Sequence, residues 1–357
     1  MQKRNNRHIL ILFLLMTIWP FSMKSFATES PTPVDNINPK EIILEHLKDA
    51  YWWHITTVND HHISVYLPVI VYSSKSGFSM FSSSHVAHNH TYKGFFIAPE
   101  GKNEGKIVER NDAGEEVRPV DLSLSKIPFA IVINSTVMLV LFLSVARWYK
   151  KRPKHATPGG LVGAIEMFVM SIEDDIIQKS IGHDYARYSP YLLTAFFFIF
   201  INNIMGLIPF FPGGANVTGN ISVTLVLALC TMAAINIFGN KAYWKEILWP
   251  DVPMWMKAPL PLMPVIELFG IISKPFALTI RLFANITAGH AIILSITCLI
   301  FVTVKMGAAL NTSMTAFAMI LSVFMSFLEI LVAYIQAYVF TMLSSVFIGL
   351  SRHNEAH

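Results

Sequence analysis

The stretch SKPFALTIRLFANITAGH at residues 273–290 belongs to a long apolar run with a single formal charge. From Pro275 to Val304, only the side chain of Arg281 carries such a charge. An ionisable group at membrane depth costs between about 3 and about 15 kcal/mol, so it is rarely kept there without a partner or a task. A guanidinium cannot be neutralised, because its pKa stays above about 12. The run therefore predicts a membrane helix with a permanent cation, which points to proton or ion handling.

The overall composition is that of an integral membrane protein. Of the 357 residues, 53% are hydrophobic and 14% are charged, and the mean hydropathy is +0.49. The net charge of +4 is small, and the basic residues cluster at segment ends, which fits orientation in a membrane and excludes a nucleic-acid role. Cys230 and Cys298 fall in apolar spans, where cysteine behaves as a small hydrophobe.

Residues 1–27 have the pattern of a secretory signal peptide. Lys3, Arg4 and Arg7 form a basic start, Ile9–Phe21 is an apolar core, and Ser25–Ala27 ends in small residues. A retained short anchor is the alternative. In either case the segment that follows is delivered outside the cytoplasm.

Residues 28–126 are polar, mixed in charge and without a long apolar run, so we predict an extracytoplasmic domain. Glu41–Tyr51 has a helical pattern, and His62–Tyr72 is rich in β-prone residues. Lys106–Arg118 predicts two short strands around an Asn-Asp-Ala-Gly turn. The pattern assigns this domain no known fold.

This domain is rich in histidine, with the pair His61 and His62 and then His85, His88 and His90. The H-x-x-H-x-H spacing of the last three is compatible with a transition metal. No cysteine or acidic ligand lies close by, and a short His-rich tract is only a compositional signal. We therefore predict no metal site and no cofactor.

Membrane spans follow this domain. Ile127–Ala146 has no charge and is followed by a basic cluster, which places that end in the cytoplasm. Tyr188–Phe211 then crosses outward and Asn220–Gly239 returns, with lysines on the next connection. Between them, Gly160–Ile181 is amphipathic, with one apolar stripe opposed by acidic residues. It predicts a helix along the cytoplasmic interface or, alternatively, a soluble connecting helix.

The last two apolar stretches, Ala258–Val304 and Met306–Ser351, are too long for simple spans. They hold 47 and 46 residues, whereas about 20 cross a bilayer. Helices of roughly 38 residues would be about 57 Å long, so they must tilt steeply or lie partly in the membrane plane. Gly307 and Asn311–Ser313 mark the turn between them.

These elements predict an all-α polytopic membrane protein with about five membrane-embedded helices. A long tilted C-terminal helical hairpin and an interfacial amphipathic helix complete the membrane domain at residues 127–352. A small mixed extracytoplasmic domain precedes it, and residues 353–357 form a cytoplasmic tail.

Four polar residues of the hairpin form two pairs, and the members of each pair are equidistant from nearly the same turn position. Arg281 and Gln336 share a midpoint at position 308.5, and His290 and Glu329 share one at 309.5. Residues equidistant from a hairpin turn lie at similar depth. We therefore predict that Arg281 meets Gln336 deep in the membrane and that His290 meets Glu329 nearer the outside.

Helical phase separates these residues into different surfaces. Asn285 is four residues from Arg281 and shares its face, whereas His290 is half a turn out of phase and about 13.5 Å away along the axis. Glu267 lies about 21 Å from Arg281 towards the cytoplasm and about 40° off its face. The chain thus offers a titratable pair, a fixed cation and a carboxylate at three depths.

That arrangement suits two offset aqueous half-paths that meet a moving carboxylate on another protein. The carboxylate must be protonated in lipid and can ionise next to Arg281. His290 with Glu329 would exchange protons with outer water, and Gln336 and Asn285 would hold Arg281 or the incoming carboxylate.

Less specific readings of these residues stay open. A lone Glu or His in a span can be a structural hydrogen-bonder. An ion-driven secondary transporter would predict inverted repeats, and none is evident. A histidine-based membrane metalloenzyme would need several His at one depth, and only His290 lies within a predicted span.

Three motifs resemble subunit a of F-type ATP synthases. The string at residues 273–290 is similar to the family signature, QAYVFTMLSSVFIGL from Gln336 to the end of its last helix, and NNIMGLIP and TGNISVTLVLAL at residues 202–209 and 218–229 to its middle spans. The resemblance covers roughly residues 127–352 and implies a subunit that is not catalytic by itself. It implies proton conduction in a bacterial inner membrane, with membrane lipid, a c-subunit ring and a b-subunit peripheral stalk as partners.

The resemblance also implies roles for individual residues. Arg281 would be the essential arginine that faces the c-ring, Asn285 and Gln336 its polar neighbours, and Glu267 the acidic residue towards the cytoplasmic exit. Many bacterial relatives carry Glu where His290 stands and His where Glu329 stands, so this chain resembles the mitochondrial order. Typical subunits lack a domain like residues 28–126.

Overall fold

The computed structural model describes residues 49–58, 61–87, 90–99, 101, 103–110, 115–152, 157–208, 212–248, 262–304 and 307–352. Several predictions lie outside these residues. They are the signal peptide at 1–27, most of the helix predicted at 41–51, the hairpin turn at 111–114, His88 and the tail at 353–357. Of the predicted 41–51 helix, only residues 49–51 are described, and they are not helical.

The N-terminal domain consists of short antiparallel strands in three small sheets. Strands β1 and β2 form a hairpin, the second sheet has the order β4-β3-β8, and the third has the order β5-β6-β7. The strands are β1 Trp52–Val58, β2 His61–Tyr66, β3 Pro68–Ser73, β4 Gly77–Ser82, β5 Phe95–Ile97, β6 Ile107–Arg110, β7 Glu116–Val117 and β8 Val120–Asp121. A single 3₁₀ turn, Ser83–His85, follows β4.

The predicted strands of this domain are confirmed. The β-prone stretch after His61 forms β2 and β3, with Pro68 as the first residue of β3, a position that needs no ladder N–H. Residues 106–118 form β6 and β7, which pair antiparallel. Val69 and Val71 alternate inward on β3 and pack with Phe95 and Ile107, so the domain has an apolar core of its own.

A buried tyrosine ties the start of this domain to its last strand. The Tyr51 hydroxyl donates a hydrogen bond to the Asp121 carboxylate. Burial, followed by the hydrogen bond to Asp121, raises the pKa of Tyr51 above its ordinary value. The phenol therefore keeps its proton in the folded domain, where that proton is shared with Asp121.

Helices form the rest of the described chain. They are α1 Lys126–Lys151, α2 Gly160–Ile172, α3 Gln178–Ile181, α4 Tyr185–Leu207, α5 Ile221–Ile237, α6 Lys241–Leu248, α7 Leu262–Thr303 and α8 Ala308–Arg352. A π-helical turn, Glu173–Ile177, joins α2 to α3. Four segments of the described chain, 126–151, 160–207, 265–303 and 308–352, are long and apolar enough to cross a membrane. Helix α5 is apolar but shorter, with 17 residues.

The N-terminal domain caps the first turn of α1. The Asp49 carboxylate accepts hydrogen bonds from the Ile127 amide at 3.1 Å and from the Ser125 hydroxyl at 2.5 Å. The Lys126 amide donates to the Ala50 carbonyl at 2.8 Å. These bonds satisfy N–H groups that have no partner within the helix, and they fix the domain to the start of α1.

The amphipathic segment at 160–181 is helical, as predicted, and its apolar stripe faces the bundle. Ile165, Ile172 and Ile176 are buried. Leu161 stands at the same helical spacing, and we expect it on the same stripe, but it is 66% exposed because it lies in the first turn of α2, beyond the packed part of the helix. The Ser189 hydroxyl donates to Glu173 at 2.9 Å, which joins the π-turn to α4.

The two C-terminal helices are longer than predicted. Helix α7 has 42 residues and α8 has 45, or about 63 Å and about 68 Å of helix. The turn between them uses Gly307 at φ +101°, a conformation that favours glycine. The Asn311 amide donates to the Gly307 carbonyl at 3.0 Å, and the Asn311 side chain accepts from the Thr303 hydroxyl at 3.0 Å. The predicted hairpin is therefore confirmed.

The core of the bundle lies where α4, α7 and α8 meet. Leu192, Phe196 and Ile199 of α4 are fully buried there, together with Leu282 of α7 and Ile348 of α8. Close backbone approach explains one glycine: a Cβ at position 349 would lie 2.1 Å from the Ser180 carbonyl oxygen. The buried residues of α8 run from Glu329 to Ser351, apart from Ala318, so its C-terminal half is the packed part and holds Glu329 and Gln336 in place.

Candidate functional site

The structure brings His290 of α7 and Glu329 of α8 into contact. The His290 Nδ1 atom lies 2.8 Å from Glu329 Oε1, and the two side chains are 16% and 5% exposed. This contact was predicted from the shared midpoint of the two residues. It joins an imidazole and a carboxylate inside an apolar bundle.

Two glycines give this pair its room. A Cβ at Gly289 would lie 3.1 Å from Glu329 Oε1, tighter than ordinary contact. A Cβ at Gly206 of α4 would lie 3.5 Å from His290 Nε2 and 3.4 Å from the Ala215 carbonyl oxygen. The imidazole therefore sits between α4 and α8, and the absence of a side chain at both positions lets the helices approach it.

The carboxylate of this pair has hydrogen-bonding capacity that the described residues do not fill. Within the described residues, neither Glu329 oxygen has a well-directed hydrogen bond, and the buried Thr287 hydroxyl has none either. His290 Nδ1 and Glu329 Oε1 can lie 2.8 Å apart without a well-directed hydrogen bond when the ring N–H does not point at that oxygen. Buried polar atoms of this kind are usually met by water.

Arg281 lies on the opposite, outward surface of α7. It is exposed, and so are its apolar neighbours Phe276, Ile280 and Ile292, whereas Leu282 is buried. Asn285, one turn away, is exposed on the same face, as predicted. In the described part of the chain, the ion pairs do not include Arg281. The helix thus presents a free cation on an apolar surface.

Gln336 is level with Arg281 but points into the bundle. It is 6% exposed, next to the buried Ala337. If position 290 pairs with 329, the same register puts position 281 level with 338, about 3 Å along α8 from Gln336. Depth matching therefore agrees with the structure. We predicted that the side chains of Arg281 and Gln336 meet, but the described residues form no hydrogen bond between them.

Glu267 lies near the start of α7 and is partly exposed. Its charge reaches Tyr243 of α6: burial and then the Glu267 carboxylate raise the pKa of that phenol. A narrow cleft beside Tyr243 is also lined by Asn236 of α5 and Lys274 of α7. Polar and titratable groups therefore continue along α7 beyond Arg281, on the side away from His290.

A network of amide side chains near the pair was missed at the sequence level. The Asn203 amide donates to the Ala333 carbonyl at 3.3 Å, and the Thr218 hydroxyl donates to Asn203 Oδ1 at 2.5 Å. The Asn134 amide donates to Asn202 Oδ1 at 2.9 Å. The signal was available, because these are polar residues inside apolar runs, but partners so far apart in sequence could not be assigned.

Comparison with known proteins identifies the family to which this site belongs. Residues 129–349 match the family described as ATP synthase A chain. The chain belongs to this family. A domain of unknown function, DUF8433, matches residues 42–123.

Named relatives agree with this assignment to the ATP synthase A chain family. ATP synthase subunit a of Pelodictyon phaeoclathratiforme is 41% identical over 67% of this chain and 68% of its own length. ATP synthase subunit a 2 of Prosthecochloris aestuarii is 39% identical over 66% and 71%. Subunit a of an Anaeromyxobacter species is 40% identical over 69% and 58%.

Family membership settles the general role. The chain is a multi-pass membrane protein and a non-catalytic subunit in the membrane sector of an ATP synthase, where it serves proton transport. The family works in association with the c-ring and other subunits of the synthase. The matched residues 129–349 contain all six predicted site residues, from Glu267 to Gln336.

Proposed function

We propose that this chain conducts protons along two offset half-channels to the c-ring and couples their passage to ring rotation and ATP synthesis. The observation that carries the proposal is that α7 has two different faces. Its exposed apolar face holds the unpaired Arg281, and its buried face holds His290 in contact with Glu329. Two proton-handling surfaces therefore share one helix without facing each other.

Arg281 is the group that causes the carboxylate of the c-ring, the rotor of the complex, to release its proton. A carboxylate carried through lipid on the c-ring stays protonated, because the charged form is costly there. When it reaches Arg281, the guanidinium favours the ionised form and the proton leaves. The exposed apolar residues around Arg281 suit an apolar helix as the facing partner. The fixed positive charge also stops a proton from passing directly between the half-channels.

His290 and Glu329 supply the outer half-channel. The Glu329 carboxylate takes a proton from outer water, and the neighbouring imidazole shares that proton through the Nδ1 to Oε1 contact. Both side chains are mostly buried and lack competing hydrogen bonds from the described residues, so the proton can be passed on. Asn285 and Gln336 orient Arg281 or the incoming carboxylate without adding charge.

Glu267 marks the inner half-channel. It lies 14 residues before Arg281 on α7, which is about 21 Å along the axis. Tyr243, Asn236 and Lys274 line the cleft on that side. A proton released near Arg281 would leave towards this carboxylate and the cytoplasm.

The topology follows from charge. The basic residues Arg147, Lys150, Lys151 and Arg152 at the end of α1 place that end in the cytoplasm. Helix α1 then begins outside, so residues 28–126 are extracytoplasmic. The four further embedded helices return the chain to the cytoplasm, so the tail at 353–357 is cytoplasmic. Five helices are embedded in a bacterial inner membrane after a signal at 1–27, with a b-subunit stalk and membrane lipid as further partners.

Passive proton conduction tests the proposal. Vesicles that contain the membrane sector alone would be loaded with a potassium gradient, and proton uptake measured with a pH-sensitive dye. Glu329→Gln keeps the size of the side chain but cannot titrate, so we expect conduction to fall at least about tenfold. Glu166→Gln, a carboxylate of α2 outside the hairpin, is the matched control and should conduct normally. Unchanged conduction by Glu329→Gln would overturn the proposal.

A further inference from the structure

Besides the Asp49 cap on α1, the N-terminal domain packs against the membrane bundle with a large aromatic side chain. Trp53 of β1 is 4% exposed and packs with Ala130 of α1 and with Ala215 and Val217. The last two residues belong to the connection between α4 and α5. The Phe129 ring meets Trp53 edge-on, with centroids 6.3 Å apart. The indole is therefore wedged between the start of α1 and this connection.

The surface under Trp53 leads directly to His290. The Ala215 carbonyl oxygen and His290 Nε2 both face the bare backbone of Gly206, at 3.4 Å and 3.5 Å from where its Cβ would be. One glycine of α4 thus separates the residue that Trp53 covers from the imidazole. A shift of the connection towards or away from α4 changes the space in which the ring sits.

A second line of contacts leads from Trp53 to Glu329. Val217 is followed by Thr218, which is 1% exposed and donates its hydroxyl proton to Asn203. Asn203 donates in turn to the Ala333 carbonyl, one turn of α8 from Glu329. Both members of the titratable pair are therefore reached from the connection, each through a different residue of α4: Gly206 for His290 and Asn203 for Glu329.

The connection has little regular structure to hold it in place. The Gly214 amide donates to the Met205 carbonyl at 3.0 Å, with Gly214 at φ +76°. The Val217 amide donates to the Ala215 carbonyl at 2.9 Å, and the Gly219 amide donates to Asn216 at 2.8 Å. Together with the Thr218 bond to Asn203, these bonds tie the connection to itself and to α4. Packing against Trp53 is what adds a contact from outside the membrane domain.

We propose that the N-terminal domain is a buttress for the outer half-channel, in which Trp53 holds the α4–α5 connection in the position that His290 and Glu329 require. Trp53 is a positioning residue, since it touches neither member of the pair. The domain is fixed for this task by the Asp49 cap on α1. The inference rests on the proposed function, and it gives a role to the region that matches a domain of unknown function.

The test is proton-driven ATP synthesis by the whole complex in vesicles, normalised to the amount of assembled complex. Trp53→Ala removes the wedge, and we expect synthesis to fall about tenfold, because small displacements of proton-handling groups are costly. Trp53→Phe keeps a flat ring and should restore most of the rate. Phe78→Ala, an aromatic residue of the same domain that is 67% exposed, should keep the normal rate.

Val217 offers a second way to test the same contact. Val217→Ala loosens the same contact from the membrane side, and should lower synthesis even if Trp53→Ala does not assemble. If assembled Trp53→Ala is combined with Val217→Ala, the two effects should not be additive, since both act on one contact. Normal synthesis by Val217→Ala, or by assembled Trp53→Ala, would overturn the buttress.

The His290→Ala variant distinguishes failure of the buttress from failure of the proposed function. If His290→Ala abolishes synthesis and the Trp53 and Val217 variants do not affect it, the buttress is wrong and the proposed function stands. If His290→Ala synthesises ATP at the normal rate, the proposed function itself fails, and the buttress fails with it.

Discussion

Arg281 and His290 lie on opposite faces of the same helix, nine residues apart. Arg281 is exposed on an apolar surface, whereas His290 is 16% exposed and lies 2.8 Å from Glu329 through its Nδ1 atom. About 13.5 Å of helix separates them along the axis. Under the proposed function, a carboxylate on the c-ring carries the proton between these two surfaces.

The first prediction concerns the coupling of His290 and Glu329. His290→Glu would place two carboxylates in contact, and Glu329→His would place two imidazoles there, so each single variant should lose most ATP-driven proton pumping. The exchanged double variant restores an acid and an imidazole at the same site and should recover much of the activity. We expect a coupling energy of roughly 1–3 kcal/mol in the cycle measured by pumping rate. Strictly additive losses would show that the two residues act separately.

The second prediction concerns the space around the pair. Gly289→Ala places a methyl group 3.1 Å from Glu329 Oε1, so the carboxylate must move, and we expect proton conduction to fall about tenfold. Gly270→Ala is the matched control on α7, because nothing lies within 4 Å of its Cβ position. It should conduct normally and be neutral or slightly stabilising. Equal conduction by the two variants would show that Glu329 does not need its present position.

The third prediction is a pH dependence of the N-terminal domain. The pKa of Tyr51 is raised in the folded domain, so its contribution to stability is fully present below about pH 10 and is lost as the pH rises further. We expect protease resistance of the domain, measured in the intact complex, to fall above that pH. In Tyr51→Phe, the hydrogen bond to Asp121 is lost at every pH, at a cost of about 1–2 kcal/mol, and this alkaline loss is smaller.

Tyr72→Phe serves as the control for that measurement, since Tyr72 is 53% exposed. It should retain the alkaline loss of the unaltered protein. An alkaline transition of the same size in Tyr51→Phe would assign the effect to another group.

The fourth prediction concerns which face of α7 meets the rotor. A cysteine at Ile280 lies on the exposed face beside Arg281, whereas a cysteine at Leu282 lies on the buried face. With a second cysteine next to the carboxylate of the c subunit, we expect oxidative cross-linking at 280 and almost none at 282. Equal yields, or a higher yield at 282, would place the ring elsewhere.

Some features of this fold are readable from local sequence. The lengths of the last two apolar runs predicted helices too long for simple spans, because helix length depends only on the rise per residue. The pairing of His290 with Glu329 followed from equal distances to one turn. The amphipathic stripe of α2 followed from its period, except for Leu161 at its exposed first turn.

Other features depend on packing between distant segments. Trp53 lies about 160 residues before the connection that it covers, and Asn203 is 130 residues from Ala333, so no local pattern links them. The orientation of Gln336 towards the bundle depends on how α8 rotates against α4 and α7. Depth could be predicted, whereas the direction of that side chain could not.

The central claim is that Arg281, on the exposed face of α7, discharges carboxylates on a moving ring. The most direct measurement is ATP-driven proton pumping by reconstituted complexes with Arg281→Ala, with Ile280→Ala as a neighbouring control on the same face. We predict that Arg281→Ala assembles and abolishes pumping, while Ile280→Ala pumps at close to the normal rate. Normal pumping by Arg281→Ala would contradict the account.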